Sequence, residues 1–547
     1  MAPVDVINVI IVGGGPVGLA LALDLGRRGV RSTVVERCSS TGTGLIAKAS
    51  VINERSMEFC QLLGIRNDVA SSGYPEELPA DTVFCTALHG HFIGRFAMDS
   101  NRTRKLEPQS SQVMQRCPQC WFDPLLARAV VRQGMADIRY GIEVVGCVQD
   151  DAGVTCFLKH LGDGRAEQLR ARYVVACDGP SSVVRKALGI LFDGKDLGFA
   201  ISAIVRVDLS RYHPFGAAER YMLMSHDGTW ANFTAIDGRS LWRFSVAGGE
   251  KKVDPASIDM PALLERAFGR DDVEYELMRV VQWRRSQYTA EKYCKGRIFL
   301  AGDCAHTMPP TGGHGLNTGL GDVMTLSWIL QALLQGWGGQ GLIEAYDHER
   351  RPVAIRNGSE ATKNYTIWIE RQGREKVLDE GLEADEYRRM LGEEMAANMR
   401  PEFRPVGLAL GYNYSASPVV VPDGSPAPPD EPDVYIQTAR PGHRAPHCWL
   451  KDGSSTIDLF GRGFVLLSFG AEAIYEHRLV DAARKVHLPL DCVTIAEIEA
   501  ADLYQRRLVL VRPDGMIAWR GDSLPDDVEG LLDRVRGASI AANCETE

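Results

Sequence analysis

The stretch VIIVGGGPVGLALAL, residues 9–23, decides the fold of the first part of the chain. Its first four residues are all β-branched and predict a buried strand, and the glycine-rich turn leads straight into an apolar helix that we expect to span Pro16–Arg28. Gly29 fits the residue that follows the helix, and Ser32–Glu36 predicts a second strand. This β-α-β order is typical of a parallel sheet with helices on its faces.

The glycine spacing fits the G-x-G-x-x-G fingerprint of dinucleotide binding. Gly13, Gly15 and Gly18 would permit a tight turn and the close approach of a pyrophosphate to the start of the helix. Glu36 ends the second strand, where its carboxylate can accept hydrogen bonds from both hydroxyls of an adenosine ribose. A tight strand-to-helix turn without a ligand is the structural alternative. The strand before the glycines and the helix after them favour dinucleotide binding.

A second match to the same pattern, Gly336–Gly341, follows a helix instead of a strand. No acidic strand end lies at the required distance after it. We therefore interpret these glycines as a loop between two helices.

A second informative stretch is RIFLAGDCAHTMPPTGGHGLN, residues 297–317. It predicts a strand that ends in Gly302-Asp303, an extended loop rich in proline and glycine, and a helix that begins near Leu316. The start of this helix would present free N–H groups and the positive end of the helix dipole. Such a site would stabilise a reduced flavin, which is anionic on its pyrimidine edge.

The middle of the chain changes character. Tyr221–Met224, Trp230–Ile236 and Leu241–Val246 predict antiparallel strands, because Asp-Gly turns at 227–228 and 237–238 separate them. We interpret residues 191–290 as an antiparallel sheet inserted into the first domain.

A break in composition follows. Residues 419–433 read VVVPDGSPAPPDEPD, which predicts an exposed, extended linker. The predicted organisation is therefore a first domain formed by residues 1–190 and, with a helical region, 291–418. The inserted sheet, the linker and a C-terminal domain at 434–547 complete the chain.

Three fingerprints in this order resemble the class A flavoprotein aromatic hydroxylases, of the p-hydroxybenzoate hydroxylase and phenol hydroxylase type. They are the Gly13–Gly18 loop, Cys177–Gly179 followed by Ser182 and Arg185, and Gly302-Asp303 with the loop after it. The fold class that this resemblance implies is α/β. It comprises a Rossmann-like FAD-binding domain with an inserted antiparallel β-sheet for the substrate.

The C-terminal part is similar to the thioredoxin-like tail of the phenol and dichlorophenol hydroxylase subgroup. The similarity rests on Pro441–His447, Asp458–Gly461 and Arg512–Gly515. A redox-active thioredoxin needs a C-x-x-C pair, and none occurs after residue 433. We predict a redox-inert module that is structural or dimer-forming.

The resemblance also implies roles for individual residues. Asp303 would bind the ribityl or pyrophosphate region of FAD, and Asp178-Gly179 would serve both FAD and NADPH. Gln119 falls where the family places a flavin-contacting glutamine. The family often carries Pro-Arg-Ala where this chain has Ala-Lys-Ala, so Lys48 keeps a positive charge but cannot form a bidentate fork. The predicted cofactor contacts are Gly13, Gly15, Pro16, Gly18, Glu36, Arg37, Lys48, Gln119, Asp178, Gly179, Asp303, Gly313, Leu316 and Asn317.

The resemblance further implies an FAD-dependent monooxygenase. NADPH would reduce FAD, and O2 would then form a flavin hydroperoxide that hydroxylates a small phenolic or related aromatic substrate. The pocket must exclude water, because the hydroperoxide otherwise decays to H2O2. Two alternatives stay open at this point: a flavin dehydrogenase or reductase of the same fold, and a non-enzymatic flavin-binding interaction protein.

The hypothesis for catalysis concerns Tyr221, which shares one face of its strand with Leu223. If that face is turned towards the flavin, the phenol hydroxyl can polarise a substrate hydroxyl; a place in the sheet core is the alternative. His306 and His314 either act as acid–base groups or only pack within the loop. The pair Cys117–Cys120 is interpreted as structural or cofactor-lining. The aromatic residues 230, 233, 242 and 244 are either core or pocket.

Composition limits the remaining options. The formal net charge of −10 argues against nucleic acid as a partner. Thirteen irregularly spaced cysteines do not form a disulfide framework, and no spacing suggests a metal site. No apolar run approaches the roughly 20 residues that would cross a membrane, and the first residues lack a basic leader. We expect a cytoplasmic protein whose partners are a small aromatic substrate and O2, with a homodimer left open.

Overall fold

The structure is a computed structural model that describes residues 7–42, 48–247, 249, 251–369, 374–470 and 476–539. Its strands are β1 Ile7–Val12, β2 Ser32–Glu36, β3 Val51–Ile52, β4 Thr82–Cys85, β5 Phe92–Phe96, β6 Gln115–Arg116, β7 Ala136–Tyr140, β8 Ile142–Asp150, β9 Gly153–His160, β10 Ala166–Ala176, β11 Phe192–Arg206, β12 Arg220–Ser225, β13 Gly228–Ala235, β14 Leu241–Ala247, β15 Glu276–Ala290, β16 Cys294–Lys295, β17 Ile298–Leu300, β18 His306–Thr307, β19 Phe464–Phe469, β20 Leu490–Ile495, β21 Leu508–Val511 and β22 Ile517–Gly521. Its helices are α1 Pro16–Arg27, α2 Glu54–Leu62, α3 Arg66–Ala70, α4 Gln119–Gln133, α5 Val183–Ala187, α6 Met260–Phe268, α7 His314–Gln335, α8 Gly341–Trp368, α9 Leu382–Asn398, α10 Arg400–Phe403, α11 Val406–Leu410, α12 Glu476–Lys485, α13 Ile498–Tyr504 and α14 Val528–Val535.

The first sheet has the strand order β16-β17-β10-β1-β2-β7, and the hairpin β8-β9 is attached to β10. Strands β17, β10, β1, β2 and β7 are parallel to one another, so their carboxyl ends meet at one edge. Helix α1 packs on this sheet, and α7 packs on α1 within the same apolar core. The predicted β-α-β start and α/β fold class are confirmed. The glycines 336–341 separate α7 from α8, as expected for a loop between helices.

The second sheet has the strand order β18-β15-β11-β14-β13-β12-β4-β5. Five of its strands come from residues 191–290, the range predicted for the inserted sheet. Strands β4 and β5 come from residues 82–96, and β18 follows β17. Sequence reasoning missed these three because β4 pairs with β12 in parallel, a contact between distant segments that leaves no local signal.

One face of the second sheet packs on α6. Alternate residues of the strands point to this side, among them Tyr221, Leu223, Phe233 and Phe244, and all four are buried. The other face carries Arg220, Met222, Thr234 and Arg243 and looks towards the first sheet and helices α8–α10. One face of the sheet is therefore apolar and buried, and the other carries polar and positively charged side chains.

The C-terminal domain has the element order β19-α12-β20-α13-β21-β22-α14 and the strand order β20-β19-β21-β22. Its classification as thioredoxin-like stays a prediction. The domain packs directly on the core of the first sheet, because Phe464 lies edge-on against Trp328 and Trp337 with ring centroids 6.0 and 6.4 Å apart.

Buried ion pairs reinforce this contact. The Nη2 atom of Arg512 lies 2.7 Å from Glu349 Oε2 on α8, and Arg444 pairs with Glu58 on α2. Arg512 also bonds Asp514 at 2.6 Å.

The segment predicted as a linker is partly buried. Val419 and Val420 are buried, and the backbone N–H of Val421 donates to Ala518 of β22 at 2.9 Å. Residues 422–433 contain no helix or strand, and most of their side chains are exposed or half-buried. The expectation of an exposed, extended chain therefore applies after residue 421 only.

Two kinds of feature are absent from the described residues. No helix there has both the length and the apolar character of a membrane span. No group of three or more His, Cys, Asp or Glu side chains in the same ranges could hold a metal ion.

We predict that Arg512→Ala lowers the free energy of unfolding by about 3–5 kcal/mol, because it leaves two buried carboxylates without their cation. Chemical denaturation of the full chain measures this change. Lys485→Ala is the control, since the Lys485–Glu529 pair is exposed, and it should change the midpoint little. Equal effects of the two variants would contradict this account of how the C-terminal domain is held.

Candidate functional site

The fingerprint loops converge at the carboxyl edge of the first sheet. Gly13 follows β1, Glu36 ends β2, Cys177 follows β10, and Ala301-Gly302 follows β17. In sheets of this type, ligands bind outside the carboxyl ends of the parallel strands.

The first glycine loop forms a cradle that side chains would fill. A Cβ atom at Gly13, where φ is +110°, would lie 2.4 Å from the carbonyl oxygen of Cys177. A Cβ at Gly18 would lie 2.0 Å from the carbonyl oxygen of Gly13. A Cβ at Gly15, at the N-cap of α1, would meet no atom within 4 Å. The loop is tight on its inner side and open on its outer side, which fits a pyrophosphate at the helix N-terminus.

Glu36 is turned back towards this loop. Its Oε2 atom accepts a hydrogen bond from Gly14 N at 2.6 Å, and its Oε1 atom accepts one from Cys38 N at 2.7 Å. A carboxylate has further acceptor capacity, so Glu36 can still bind ribose hydroxyls. The side chain of Arg37 beside it is exposed.

Gln119 begins α4, and its side chain is held by a buried carboxyl group. Its Nε2 atom donates to Asp123 Oδ2 at 3.1 Å, and its backbone N–H donates to Ala49 O at 2.8 Å. Burial raises the pKa of Asp123 to about 7, although the hydrogen bond from Gln119 and the charge of Lys48 oppose this shift. The other carboxyl oxygen of Asp123 is buried and has no partner.

Asp178 shows a similar feature. Its Oδ2 atom accepts from Val183 N at 2.9 Å, while its Oδ1 atom is buried without a partner. Burial raises the pKa of Asp178, although the Ser182 hydroxyl opposes the shift. Unsatisfied buried oxygens of this kind fit a site whose polar ligand completes the hydrogen bonding. Gly179 and Asp303 lie beside it at the same edge, and the Asp303 side chain is exposed.

A buried carboxylate, Asp322 on α7, supports the Gly302 loop. It accepts hydrogen bonds from Gly302 N at 3.0 Å and from Arg350 Nε at 2.9 Å. His306 Nε2 lies 2.9 Å from it. His306 is therefore part of this packing network and does not line the cavity described next. Sequence reasoning missed Asp322 and Arg350; the signal was an acidic residue within the apolar run of α7.

A cavity of about 720 Å³ lies between the glycine loop before α7 and the second sheet. Gly313, His314 and Asn317 line one side, and Arg220 and Arg243 line the other. The other walls include the loop 97–107, residues 402–406 and the segment 48–54, which brings the predicted cofactor residue Lys48 to the cavity. The cavity lies against the inserted sheet, to which the family resemblance assigns the substrate; binding of substrate there stays a prediction.

Asn317 fixes the shape of the loop. Its amide donates to Val51 O at 3.0 Å and to Gly313 O at 2.8 Å, and its carbonyl oxygen accepts from Asn53 N at 3.0 Å. Leu316 instead packs against the apolar core of the first domain. The family resemblance implies that Leu316 meets the flavin ring through its backbone, and the packing of the side chain leaves that backbone available.

His314 lines the cavity from the first turn of α7. Burial lowers its pKa to about 4, and the charge of Arg356 adds to the shift. Its Nε2 atom is buried without a hydrogen-bond partner. At neutral pH the ring is therefore uncharged, so it adds no positive charge to the cavity.

Glu402 on α10 is a cavity residue that sequence reasoning missed. It accepts hydrogen bonds from Gly312 N at 3.3 Å and Trp368 Nε1 at 2.5 Å, and it pairs with Arg220 at 3.3 Å. Burial raises the pKa of Glu402, and the charge of Arg220 opposes the shift. Glu402 therefore links the glycine loop before α7 to the second sheet.

Tyr221 lies on the face of the sheet away from this cavity. Its hydroxyl donates to Gly216 O at 3.0 Å, and its ring packs against His213 and Trp242. The condition for its predicted catalytic role, a face turned towards the flavin, is not met. The reason is the alternation of side chains along β12, which sends Arg220 and Met222 to the cavity side.

The sequence also left open whether four aromatic residues and the cysteine pair belong to the core or to a binding pocket. Phe233, Trp242 and Phe244 belong to the apolar core with α6. Trp230 packs against the same core, with Arg266 of α6 over its ring at 3.9 Å, and also lines a smaller cavity next to Arg220. Cys117 is buried, and burial raises its pKa to about 12, which makes a reactive thiolate unfavourable. This supports the structural interpretation of the cysteine pair.

The chain matches two sequence families. Residues 6–361 match the FAD binding domain family, and residues 438–539 match the family described as aromatic-ring hydroxylase, C-terminal.

Named proteins resemble the whole chain. It is 32% identical to the FAD-dependent monooxygenase apdD of Emericella nidulans, over 95% of this chain and 88% of that protein. The structure of RebC with bound 7-carboxy-K252c is 37% identical, with a TM-score of 0.90, and the match covers 97% of this chain and 99% of RebC. The flavin-dependent monooxygenase PieE, in complex with FAD and substrate, is 29% identical with a TM-score of 0.88, over 98% and 100% of the two chains.

We predict that Asp123→Asn stabilises the FAD-free protein, and more so as the pH rises. The carboxyl pKa is raised from 3.8 to about 7 on folding, so folded Asp123 holds its proton where the unfolded chain has lost it. Stability therefore falls as the pH rises from about 4 to about 7. The amide of the variant would keep the bond to Gln119 without this cost.

Melting temperatures at pH 5 and pH 8 measure the effect. The difference between the Asp123→Asn variant and the wild type should grow over this range. Asp137→Asn, at an exposed position of β7, controls for the loss of one negative charge. A difference that does not change with pH would show that Asp123 is not the titrating group.

We also predict that Tyr221→Phe costs about 1 kcal/mol of stability, through the lost bond to Gly216. The coupling of NADPH consumption to product should stay at the wild-type value, because the hydroxyl does not reach the cavity. Product yield per NADPH measures this coupling. A large loss of coupling at wild-type FAD content would restore the catalytic role.

Proposed function

The chain belongs to the FAD-dependent aromatic-ring hydroxylases, and on that premise we propose that it uses NADPH and O2 to hydroxylate an aromatic compound held in the 720 Å³ cavity. The observation that carries this proposal is the position of the cavity. It lies between the cationic face of the second sheet and the loop at Gly313–Asn317, which the family resemblance assigns to the flavin ring.

The residues at the sheet edge suit FAD. Gly13, Gly15 and Gly18 leave room for the pyrophosphate at α1, and Glu36 is placed for the ribose. Asp303 would bind the ribityl or pyrophosphate region, next to the unsatisfied oxygen of Asp178. Bound FAD supplies the redox chemistry, which is the passage of electrons from NADPH to O2.

The protein would orient the cofactor and the substrate, and it would stabilise negative charge on the flavin electrostatically. The first N–H groups of α7 lie at the loop and offer hydrogen bonds and a positive dipole to negative charge on the flavin side. Asn317 holds the loop in place through its three hydrogen bonds. Leu106, Met114 and Phe403 line the cavity and limit the access of water.

The size of the cavity bears on the substrate. Cavities of about 300–1,000 Å³ hold drug-sized ligands, and the flavin ring takes part of this volume. We propose an electron-rich aromatic compound, a phenol or a related ring system, and the remaining space accepts more than one ring. The cytoplasmic location and the homodimer stay predictions.

A flavin dehydrogenase and a non-enzymatic flavin-binding protein were the alternatives at the sequence level. The similarity to monooxygenases over nearly the whole chain favours the hydroxylase. Oxygen consumption that depends on substrate, with one hydroxylated product per O2, separates the three options. NADPH oxidation without any hydroxylated product across a panel of phenols and naphthols would overturn the proposal.

We predict that the purified protein is yellow with non-covalent FAD, and that Asp303→Ala weakens FAD binding by about 1.5–3 kcal/mol. The reason is the loss of one charge-assisted hydrogen bond to the cofactor. Titration of the FAD-free protein, followed by quenching of flavin fluorescence, measures the affinity. Asp271→Ala removes an exposed carboxylate far from the sheet edge and should bind FAD like the wild type. A protein that takes up no FAD on reconstitution would refute the proposed function.

A further inference from the structure

One carboxyl group in the wall of the 720 Å³ cavity has no part in the contacts described above. Glu54 is the first residue of α2, next to Asn53 and close in sequence to Val51, the two residues that hold Asn317 of the glycine loop. Glu54 is half-buried. Among the described residues, no other residue forms a hydrogen bond or an ion pair with its side chain. Its acceptor positions are therefore free for a ligand in the cavity.

Three other carboxyl groups of the described residues line the same cavity, and each of them is less suited to contact a ligand. Asp99 is exposed to solvent. Glu107 forms an ion pair with Arg404 at 3.0 Å. Glu402 already accepts two hydrogen bonds and forms an ion pair. Glu54 is thus the carboxyl group of the described cavity wall that combines partial burial with unused acceptor positions.

The surroundings of Glu54 change its affinity for a proton. Burial raises the pKa of Glu54, and the charges of Glu107 and Glu58 add to the shift, whereas the charge of Arg104 opposes it. Arg104 does not pair with the carboxylate, since its guanidinium donates to two backbone carbonyl oxygens, at 3.1 and 2.8 Å. A carboxylate with a raised pKa is a stronger base, and a base whose pKa lies nearer the working pH transfers protons more effectively.

Hydroxylation of a phenol needs a group of this kind. The ring of a phenolate is more electron-rich than the ring of the neutral phenol, so it reacts faster with an electrophilic oxygen. In the step that forms the phenolate, the O–H bond of the substrate breaks, its electron pair stays on the substrate oxygen, and the proton binds to a carboxylate oxygen. Neither partner is oxidised or reduced. A side chain within hydrogen-bond reach of the hydroxyl group can catalyse this transfer.

We propose that Glu54 is the catalytic base of the hydroxylation, and that its carboxylate accepts first the hydrogen bond and then the proton of the substrate's hydroxyl group. The inference rests on the proposed function, since the substrate must lie in the same cavity. It assigns to α2 the role that the sequence predicted for Tyr221, whose hydroxyl lies on the other face of the sheet. It also narrows the substrates to aromatic compounds that carry an ionisable hydroxyl group.

The first test measures binding to the FAD-loaded full-length protein with two probes that share one ring system. The probe 1-naphthol carries a hydroxyl donor, and 1-methoxynaphthalene does not. Changes in flavin absorbance on titration give the dissociation constants. Near neutral pH the wild type should bind 1-naphthol about 10–100-fold more tightly than the ether, because only the naphthol can donate a hydrogen bond to the carboxylate.

Variants of the cavity carboxylates locate the effect. Glu54→Gln should lower the preference for 1-naphthol about fivefold or more, because an amide accepts a weaker bond than a carboxylate, and it should change binding of the ether by less than about twofold. Glu54→Asp should recover part of the loss, because it keeps the charge on a shorter side chain. Asp99→Asn is the matched control, since it removes an exposed carboxylate from the same cavity wall. It should keep the wild-type preference.

The preference for 1-naphthol should also depend on pH. Above its pKa the carboxylate of Glu54 is ionised and accepts the stronger bond, so the wild-type preference should rise between about pH 4 and about pH 8, and Glu54→Gln should not show this rise. Burial lowers the pKa of His314 to about 4, so His314 titrates at the acid end in both proteins. The other ionisable groups in these surroundings are also common to both: Glu58, Arg104, Glu107, Arg116 and Arg404.

Turnover separates binding of the hydroxyl group from transfer of its proton. With the phenol or naphthol that the wild type hydroxylates fastest, Glu54→Gln should form product about 10²–10⁴-fold more slowly near about pH 6, at wild-type FAD content. This deficit should shrink as the pH approaches the pKa of the substrate, because an ionised substrate needs no base.

Several results would overturn the assignment. They are equal affinity of the wild type for 1-naphthol and its ether, an unchanged preference in Glu54→Gln, a loss of the same size in Asp99→Asn, and a turnover deficit in Glu54→Gln that does not change with pH. Failure of the proposed function looks different. In that case the hydroxyl preference and its pH dependence are present, but the wild type forms no hydroxylated product from any phenol or naphthol.

Discussion

One buried carboxylate, Asp322, joins the segments on which the cofactor site depends. It lies on α7, accepts the backbone N–H of Gly302 after β17, and contacts His306 of the second sheet and Arg350 of α8. Burial alone would raise the pKa of Asp322, but its partners outweigh burial and lower the pKa. The ionised group therefore holds two sheets and two helices in one arrangement. A buried charge is tolerated only when it is paired and hydrogen-bonded, so this network admits few other geometries.

The second sheet uses its two faces for different purposes. Its apolar face packs on α6 and supplies the core, with Tyr221, Phe233 and Phe244 in contact. Its other face carries the arginines Arg220 and Arg243, which cannot join an apolar core and instead border the 720 Å³ cavity. The period of two along a strand makes this separation possible within one element. The core thus gives the cationic face a rigid support, which a binding site requires.

The C-terminal domain is part of the same body and not an appendage. Its strand β19 brings Phe464 against two tryptophans of the first domain, and Arg512 reaches the buried Glu349 of α8. Because Arg350 of the Asp322 network follows Glu349 directly, the docking contact and the cofactor support share one turn of α8. The domain lacks paired thiols in its sequence after residue 433, so a supporting role agrees with its chemistry.

The sequence by itself determined the α/β class, the glycine cradle with Glu36, the Gly302-Asp303 loop and the helix after it, because each is a local pattern whose residues are adjacent in the chain. It could not decide which face of β12 meets the cavity, so the choice between Tyr221 and Arg220 had to await the sheet pairing. The positions of Glu402, of Asp322 and of the cavity arginines Arg220 and Arg243 could not be predicted for the same reason. They come from strands and helices that are distant in sequence, and only tertiary packing brings their charges together and removes them from water.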